Sequence, residues 1–190
     1  MRHLTQPLRD ATQSLTTLLA ISLVIVIAAF LIAATNVPNS APEASRTLTF
    51  YHTHTGDRLR ATYAHGDAYD PEALEAINGF LKDFRNGEKI DIDPALLDFL
   101  HELQCNLNSR GTFEVISAYR SPRTNEMLRK RSNGVARRSQ HLLGKAIDVR
   151  LDDVELQQLR DTAIEMQRGG VGYYPQPNFV HLDVGRVRRW

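Results

Sequence analysis

The sequence predicts an α+β domain in which a small, mostly antiparallel sheet is flanked by helices. Segments with the period of a strand are interleaved with segments with the period of a helix, and the strands are mostly local, which argues against a doubly wound parallel sheet. Residues 46–190 provide about 145 residues, enough to bury one hydrophobic core, and they contain no repeat.

The first half of this domain is predicted to contain two strands and two helices, at 47–51, 57–63, 71–84 and 93–107. Gly56 supplies a turn between the two strands, which favours a hairpin. Asp93 and Pro94 provide an N-cap and a first turn for the second helix. Cys105 is the single cysteine, so it has no partner for an internal disulfide and is expected to pack on that helix.

The second half is predicted to contain a strand at 113–118, a basic helix at 125–131, a strand at 146–151, a helix at 153–167, and two closing strands around Val171 and Val180. Gly134 interrupts the chain after the basic helix. In the 146–151 strand, Asp148 lies between Ile147 and Val149, so the carboxylate is expected on one face and the apolar residues in the core.

Two short segments carry the residue types of a catalytic zinc site. They read SQHLLGKAID at 139–148 and FVHLD at 179–183, and in the second segment His181 and Asp183 share one face of the predicted strand. Two histidines and one carboxylate leave a fourth tetrahedral position for water, which is typical of catalytic rather than structural zinc. The alternative is two ordinary strands whose histidines are satisfied by hydrogen bonds.

Four motifs in this order resemble the D-alanyl-D-alanine metallopeptidase superfamily, which contains the lysostaphin and Hedgehog-type zinc folds, and within it the murein endopeptidase K family. The motifs are FEVISAYRSP at 113–122, SQHLLGKAID at 139–148, GGVGYYP at 169–175 and FVHLDVG at 179–185. The resemblance runs from about residue 46 to 190. It implies a Hedgehog/DD-peptidase-like domain, peptidoglycan as the substrate, and Zn2+ held by His141, Asp148 and His181.

The resemblance also implies that Arg120 faces the substrate. Arg120 lies where a strand gives way to a turn, and a guanidinium there can hold a carboxylate or stabilise the oxyanion that develops on a zinc-bound carbonyl. A surface arginine without a catalytic role is the alternative. Tyr173 and Tyr174 are expected either to line the substrate groove or to pack with a solvated hydroxyl.

The general base is the point at which this sequence departs from the superfamily. Many members place Glu or His two or three residues before the last zinc histidine, whereas this chain has Asn178 and Phe179, and neither accepts a proton. Asp183 is a candidate base and equally a candidate for orienting a ligand imidazole. The pair His52 and His54 is a third possibility, but such residues more often lie on the solvated face of an edge strand, and we do not assign them to the metal.

The N-terminal region predicts export through the bacterial inner membrane. Residues 15–34 form an uncharged run of about twenty residues, long enough to span a bilayer, and Arg2 and Arg9 precede it, so the positive-inside rule places the following domain in the periplasm. A cleaved signal peptide is the alternative to an anchor. The predicted organisation is a cytoplasmic N-terminus at 1–14, the anchor or signal segment at 15–34, a linker at 35–45 and the zinc peptidase domain at 46–190.

Taken together, these features predict a zinc endopeptidase that hydrolyses peptide cross-links in peptidoglycan. The alternatives are a D,D-carboxypeptidase of the same superfamily and a non-catalytic, zinc-containing wall-binding module. A net charge of +1 argues against nucleic acid as the main partner. Basic residues form two clusters, and for both a solvated face is favoured over attraction to an anionic surface. The first cluster is Arg129, Lys130, Arg131, Arg137 and Arg138, and the second is Arg186, Arg188 and Arg189.

Overall fold

The computed structural model describes residues 44–132 and 134–190, and these residues form an α+β domain, as the sequence predicted. The helices are α1 (Pro71–Phe80), α2 (Pro94–Asn106), α3 (Pro122–Arg131) and α4 (Leu156–Glu165), and a 3-10 helix spans Gln140–Leu143. The strands are β1 (Ser45–His52), β2 (Arg58–His65), β3 (Ala68–Tyr69), β4 (Phe113–Ser117), β5 (Ala146–Leu151), β6 (Gly170–Tyr174), β7 (Phe179–Asp183) and β8 (Arg188–Arg189).

The predicted anchor or signal segment at 15–34 lies outside the described residues. Within the part of the chain that is described, no helix is both long and apolar enough to cross a membrane.

All the strands belong to one sheet with the order β3-β2-β1-β4-β5-β7-β6-β8. Neighbouring strands are antiparallel except for β1 with β4 and β6 with β8, which are parallel. The prediction of a mostly antiparallel sheet is therefore confirmed. The two-residue edge strands β3 and β8 were not predicted, because so short a segment carries no periodic pattern.

The hydrophobic core lies on one face of this sheet. It combines apolar strand residues, among them Phe50, Phe113, Ile147, Val149 and Leu182, with the buried faces of α1, α2 and α4. Successive strand residues point to opposite faces, so Asp148 and His181 lie on the other face, away from these helices. The sheet thus separates the packing core from the polar residues of the candidate site.

Three helix boundaries differ by three or four residues from the predicted ones, and polar side chains beside each of them make capping or long-range hydrogen bonds. Helix α1 ends at Phe80 rather than at residue 84, and the buried Asp83 accepts hydrogen bonds from the backbone N–H groups of Arg85 (3.1 Å) and Ser121 (3.0 Å). Helix α3 begins at Pro122 rather than at residue 125, since Ser121 caps it by accepting from Thr124 N at 3.2 Å.

The third boundary is the start of α4, which begins at Leu156 rather than at residue 153. Asp152 accepts a hydrogen bond from Thr112 N at 2.7 Å, and Asp153 accepts one from the Ser109 hydroxyl at 2.6 Å. Both carboxylates tie the turn after β5 to the segment before β4. They are therefore unavailable to begin the helix.

An irregularity in β4 brings a polar side chain to the face that carries Asp148. Val115 pairs with Val149, but the register then shifts so that Ser117 pairs with Asp148. One extra residue in β4 therefore turns Ser117 away from the core face that Val115 occupies, as β-bulges next to functional sites commonly do.

Gly144 ends the 3-10 helix in the left-handed conformation, with φ of 67°. A Cβ atom at this position would lie 2.5 Å from the backbone carbonyl oxygen of Asp91. The glycine in the 139–148 motif is therefore required by backbone geometry and by close packing.

We expect Gly144→Ala to lower the free energy of unfolding by more than about 1 to 2 kcal/mol, because the left-handed conformation alone costs that much for a residue with a Cβ and the contact with Asp91 adds to it. Denaturant titration of the full-length protein measures the change. The matched control is Gly79→Ala in α1, where a Cβ meets no atom within 4 Å and helix propensity favours alanine. Equal stability of the two variants would contradict this account of Gly144.

Candidate metal centre and cleft

His141 is held at the start of the 3-10 helix with one ring nitrogen committed to the backbone. Ser139 caps the helix by accepting from His141 N at 3.3 Å. The Nδ1 atom of His141 lies 2.6 Å from the carbonyl oxygen of Ala118, which can only accept a hydrogen bond, so Nδ1 carries the proton. In a neutral imidazole, Nε2 is then left with an unprotonated lone pair.

His181 has the opposite tautomer for the same kind of reason. Its Nε2 atom lies 2.9 Å from Oδ2 of Asp183, and an ionised carboxylate can only accept, so Nε2 donates. The neutral ring therefore presents an unprotonated lone pair at Nδ1. This ring is on β7, and β5 brings Asp148 directly opposite it.

These two lone pairs converge with one oxygen of Asp148. Nε2 of His141 lies 3.2 Å from Nδ1 of His181 and 3.2 Å from Oδ1 of Asp148, and Nδ1 of His181 lies 2.8 Å from the same oxygen. All three residues are buried, with 2, 8 and 4% exposure for His141, His181 and Asp148. The structure thus brings together the three residues that the sequence singled out.

The arrangement fits a small cation better than it fits hydrogen bonding within the protein. Three acceptors that face one another repel unless a proton or a cation lies between them. Tetrahedral ligands about 2.0 to 2.2 Å from zinc are separated by roughly 3.3 to 3.6 Å, close to the spacing of these atoms. Among the described residues, no other group of three or more histidines, cysteines or carboxylates could hold a metal ion.

The pKa shifts of these groups follow from burial and from their neighbours. Burial lowers the pKa of His141, which keeps its ring neutral. Burial opposes the ionised form of Asp148, but His141 and His181 outweigh it and hold the pKa of this carboxyl far below its usual range. Burial likewise opposes the charged form of His181, but hydrogen bonds to Asp148 and Asp183 raise its pKa, so that a second proton, on Nδ1, would bridge this ring to Asp148 when no cation does.

Arg120 orients the carboxylate of Asp148 through the oxygen that faces away from the histidines. Its Nη2 atom donates to Oδ2 of Asp148 at 2.6 Å, and its Nε atom donates to the hydroxyl of Ser117 at 3.1 Å. The register shift in β4 therefore has a direct consequence at the site, because it places the Ser117 hydroxyl beside this guanidinium. Oδ1 of Asp148 is left directed at the two imidazoles.

Asp183 lies behind His181 and is fully buried. Besides His181, its carboxylate accepts hydrogen bonds from Gly170 N at 3.2 Å, from Gly185 N at 2.8 Å, and from both terminal nitrogens of Arg188 at 3.0 and 2.6 Å. Burial raises its pKa, but these donors outweigh burial and bring the pKa well below the usual range. Asp183 contacts none of the three converging atoms except through the ring of His181.

The converging residues lie in a cleft of about 270 Å³. One wall is aromatic: Phe179 stacks on Tyr174 with ring centroids 4.7 Å apart, and Trp190 packs beside His181 at 5.2 Å and donates from Nε1 to the Tyr174 hydroxyl at 2.7 Å. Residues of the segment before the 3-10 helix, among them Arg138, also line the cleft, as do Arg120 and Arg188. Tyr174 therefore lines the cleft, whereas Tyr173 does not.

The remaining sequence candidates lie apart from the three converging atoms. Phe179 lines the cleft, but Asn178 does not. His52 is buried against the rings of Phe80 and Phe84, and the exposed His54 stacks on Phe84 with ring centroids 4.4 Å apart. Neither histidine belongs to the group that could hold a metal ion, in agreement with leaving both unassigned.

Sequence analysis missed four contributors to the site: the Ala118 carbonyl, Ser117, Arg188 and Trp190. The first is a backbone atom, and the second reaches the site only because the register shifts in β4. Arg188 lies on β8 and Trp190 directly after it, and β8 pairs with β6. Gly172 of β6 leaves room for the indole of Trp190, because a Cβ atom at residue 172 would lie 2.7 Å from this ring. The glycines of GGVG at 169–172, followed by an Arg and a Trp close to the C-terminus, were the available signal.

Comparison with known proteins identifies the family. A family model of the M15 peptidases, described as peptidoglycan L,D-endopeptidase MepK, matches residues 40–190. The chain is 43% identical over 145 residues to peptidoglycan L,D-endopeptidase MepK of Escherichia coli K12, covering 76% of this chain and 80% of the relative. It is 40% identical over 146 residues to the protein of Haemophilus influenzae described as probable peptidoglycan L,D-endopeptidase MepK, covering 76% and 78%.

No solved structure matches the chain significantly. The family model nevertheless spans most of the sequence, and the two relatives are 43% and 40% identical to it over 76% of its length. The order of motifs had indicated the same group. This chain belongs to the peptidoglycan L,D-endopeptidase MepK family of the metal-dependent M15 peptidases.

Proposed function

We propose that this protein is a zinc-dependent endopeptidase that hydrolyses peptide cross-links of peptidoglycan at diaminopimelate residues. The observation that carries the proposal is the convergence of two imidazole lone pairs and one carboxylate oxygen in an open cleft. The relatives described as peptidoglycan L,D-endopeptidases support the substrate and the reaction class.

Zinc is the metal that this donor set favours, and His141, Asp148 and His181 would hold it. Two imidazoles and a carboxylate suit zinc, and three protein ligands are the number found in catalytic zinc sites. When bound, the ion supplies Lewis acidity, lowering the pKa of a coordinated water to roughly 7 and polarising the scissile carbonyl. Asp148 and the two rings keep the geometry because each is fixed by a partner outside the site.

Arg120 is the residue that we propose to stabilise charge on the reacting carbonyl. Two of its nitrogens are used by Asp148 and Ser117, and its Nη1 atom makes no hydrogen bond to any described residue. The side chain lines the cleft beside the converging atoms. A guanidinium anchored in this way presents a preorganised donor without having to move during the reaction.

For Asp183 we propose the orienting role rather than the role of general base. It contacts the nitrogen of His181 that faces away from Asp148, and two backbone N–H groups and the Arg188 fork fill its remaining acceptor positions. A carboxylate with so many donors is a weak proton acceptor. Of the described residues that line the cleft, Asp148 is the only one with a carboxylate.

We further propose that the enzyme acts in the periplasm, attached to the inner membrane through residues 15–34. The uncharged run and the preceding Arg2 and Arg9 support this topology. Export would bring the cleft to the same compartment as its substrate. Sequencing the N-terminus of the mature protein distinguishes an anchor from a cleaved signal peptide, because cleavage removes these residues.

The function is tested with full-length protein, intact sacculi and cross-linked muropeptide dimers. We expect the enzyme to release two monomers with unchanged stems, to lose activity on chelation and to regain it with zinc. The variants His141→Ala, Asp148→Ala and His181→Ala should each bind substoichiometric zinc while remaining folded. Elemental analysis and circular dichroism measure metal and fold. Full zinc content in all three variants would contradict the ligand assignment.

Two other results of this assay would change the proposal. Release of D-alanine without separation of the dimer would indicate a D,D-carboxypeptidase. A protein that holds zinc and binds sacculi but releases no product over a broad pH range would be a wall-binding module.

Asp183→Asn separates the two roles considered for this residue. If it orients His181, zinc affinity should fall by roughly 10- to 100-fold while turnover of the zinc-loaded enzyme changes little. Competition with a chelator measures affinity, and turnover is expressed per bound zinc. The control is Asp67→Asn, at an exposed position in the β2–β3 turn. Retained affinity with a large loss of turnover would instead make Asp183 the general base.

Arg120→Ala should reduce turnover per bound zinc by about 100- to 1,000-fold, the usual scale for losing one preorganised oxyanion donor. Some loss of zinc affinity is also expected because Asp148 loses a partner, so both quantities have to be measured. Arg123→Ala, an exposed arginine on α3, is the control. If turnover per bound zinc is unchanged in Arg120→Ala, this arginine does not stabilise the reacting carbonyl and serves only to position Asp148.

A further inference from the structure

Three arginines line the cleft, and two of them are already paired with buried carboxylates. Arg120 is bonded to Asp148, and Arg188 holds Asp183 with both terminal nitrogens. Arg138 forms neither a salt bridge nor a hydrogen bond with any residue that the structure describes, and it is exposed. Its charge is therefore the one in the cleft that no described carboxylate neutralises.

The segment that carries Arg138 is tied down on both sides. The buried Asn125 of α3 donates from Nδ2 to the carbonyl oxygen of Ala136 at 3.2 Å. On the other side, Ser139 caps the 3-10 helix that carries His141. The backbone of Arg138 is thus fixed relative to a proposed metal ligand three residues later, and its charged head is free to meet a ligand at the cleft.

The neighbouring Arg137 is also exposed but does not line the cleft. The basic cluster noted in the sequence therefore divides into two kinds of residue. Arg137 belongs to a solvated surface, and Arg138 faces the space in which substrate would lie. This difference between adjacent residues of the same type supplies a matched control.

The substrate of the proposed function offers a suitable anion. A diaminopimelate residue that gives its side-chain amine to a cross-link keeps a carboxylate on the carbon that bears this amine, so a negative charge lies next to the scissile nitrogen. Arginine binds carboxylates through two parallel hydrogen bonds, which adds geometric selectivity to charge attraction. With Asp148 already committed to Arg120, the cleft has no second described carboxylate to compete for Arg138.

We infer that Arg138 is a specificity-determining residue that binds the free diaminopimelate carboxylate beside the scissile bond. The inference rests on the proposed function and adds to it a chemical requirement on the substrate. An amide in place of this carboxylate removes the charge while keeping the shape. The enzyme should therefore distinguish free from amidated cross-links, and Arg138 should be the reason.

The test compares two cross-linked dimers, one with the free carboxylate and one with the same carboxylate amidated, for wild type, Arg138→Ala, Arg138→Lys and Arg137→Ala. Wild type should favour the free dimer by roughly 10- to 100-fold in kcat/KM, the scale expected for one charge-assisted bidentate contact. Arg138→Ala should lose that preference by acting more slowly on the free dimer alone. Arg138→Lys should retain part of it, and Arg137→Ala should behave as wild type.

Two further readouts separate recognition from damage to the site. Zinc content should be unchanged in all the variants, and calorimetry with an uncross-linked muropeptide that ends in diaminopimelate should show weaker binding for Arg138→Ala, a smaller loss for Arg138→Lys and none for Arg137→Ala. A preference for the free dimer that survives in Arg138→Ala would overturn the inference and leave the proposed function intact. A wild type that cleaves neither dimer would overturn the proposed function and the inference with it.

Discussion

In their neutral forms, both imidazoles of the candidate metal centre hold their protons on the side that faces away from Asp148, and the rest of the cleft depends on this constraint. The Ala118 carbonyl fixes His141, and the Asp183 carboxylate fixes His181. As a result, three buried lone pairs point at the same small volume. Such an arrangement is unfavourable without a positive charge between the acceptors, so metal binding and stability of the site are expected to be coupled.

The outer partners are themselves supported by the sheet. Asp183 and His181 pair with Gly170 and Gly172 of β6, and the absence of side chains at these glycines leaves space for Arg188 and Trp190. The β8 segment therefore supports the metal centre indirectly, because Arg188 holds the carboxylate of Asp183 and this carboxylate holds the imidazole of His181. On the opposite side, the register shift in β4 supplies Ser117 to Arg120, which in turn holds Asp148.

This support leaves the cleft with an unequal distribution of charge. The buried carboxylates of Asp148 and Asp183 each have an arginine, one wall of the cleft is aromatic, and Arg138 extends into its lining from an anchored segment. A bound metal ion would add further positive charge. The cleft is therefore suited to a peptide that carries carboxylates near the bond to be broken, which is a property of peptidoglycan stems rather than of peptides in general.

The sequence by itself determined the fold class, most of the strands and helices, and the identity of the three converging residues. These features are local or repeat at short range: alternation in β5 and β7, helical spacing in α2, and motifs of a few residues. Asp93 and Pro94 begin α2 as predicted because capping is also local. Helix boundaries shifted where polar side chains bond groups remote in the chain, as Asp83 does with the Ser121 N–H and Asp153 with the Ser109 hydroxyl.

Only the tertiary structure decided the tautomers of His141 and His181, the hydrogen-bond partners of Asp183 and the different roles of the arginines. Alternation correctly placed Asp183 on the face of His181, but it could not show that glycine N–H groups and Arg188 fill the remaining acceptor positions. Likewise, Arg137 and Arg138 are indistinguishable in sequence, and only the path of the chain into the 3-10 helix separates them. These properties depend on contacts between residues far apart in the chain, and such contacts leave no periodic pattern in the sequence.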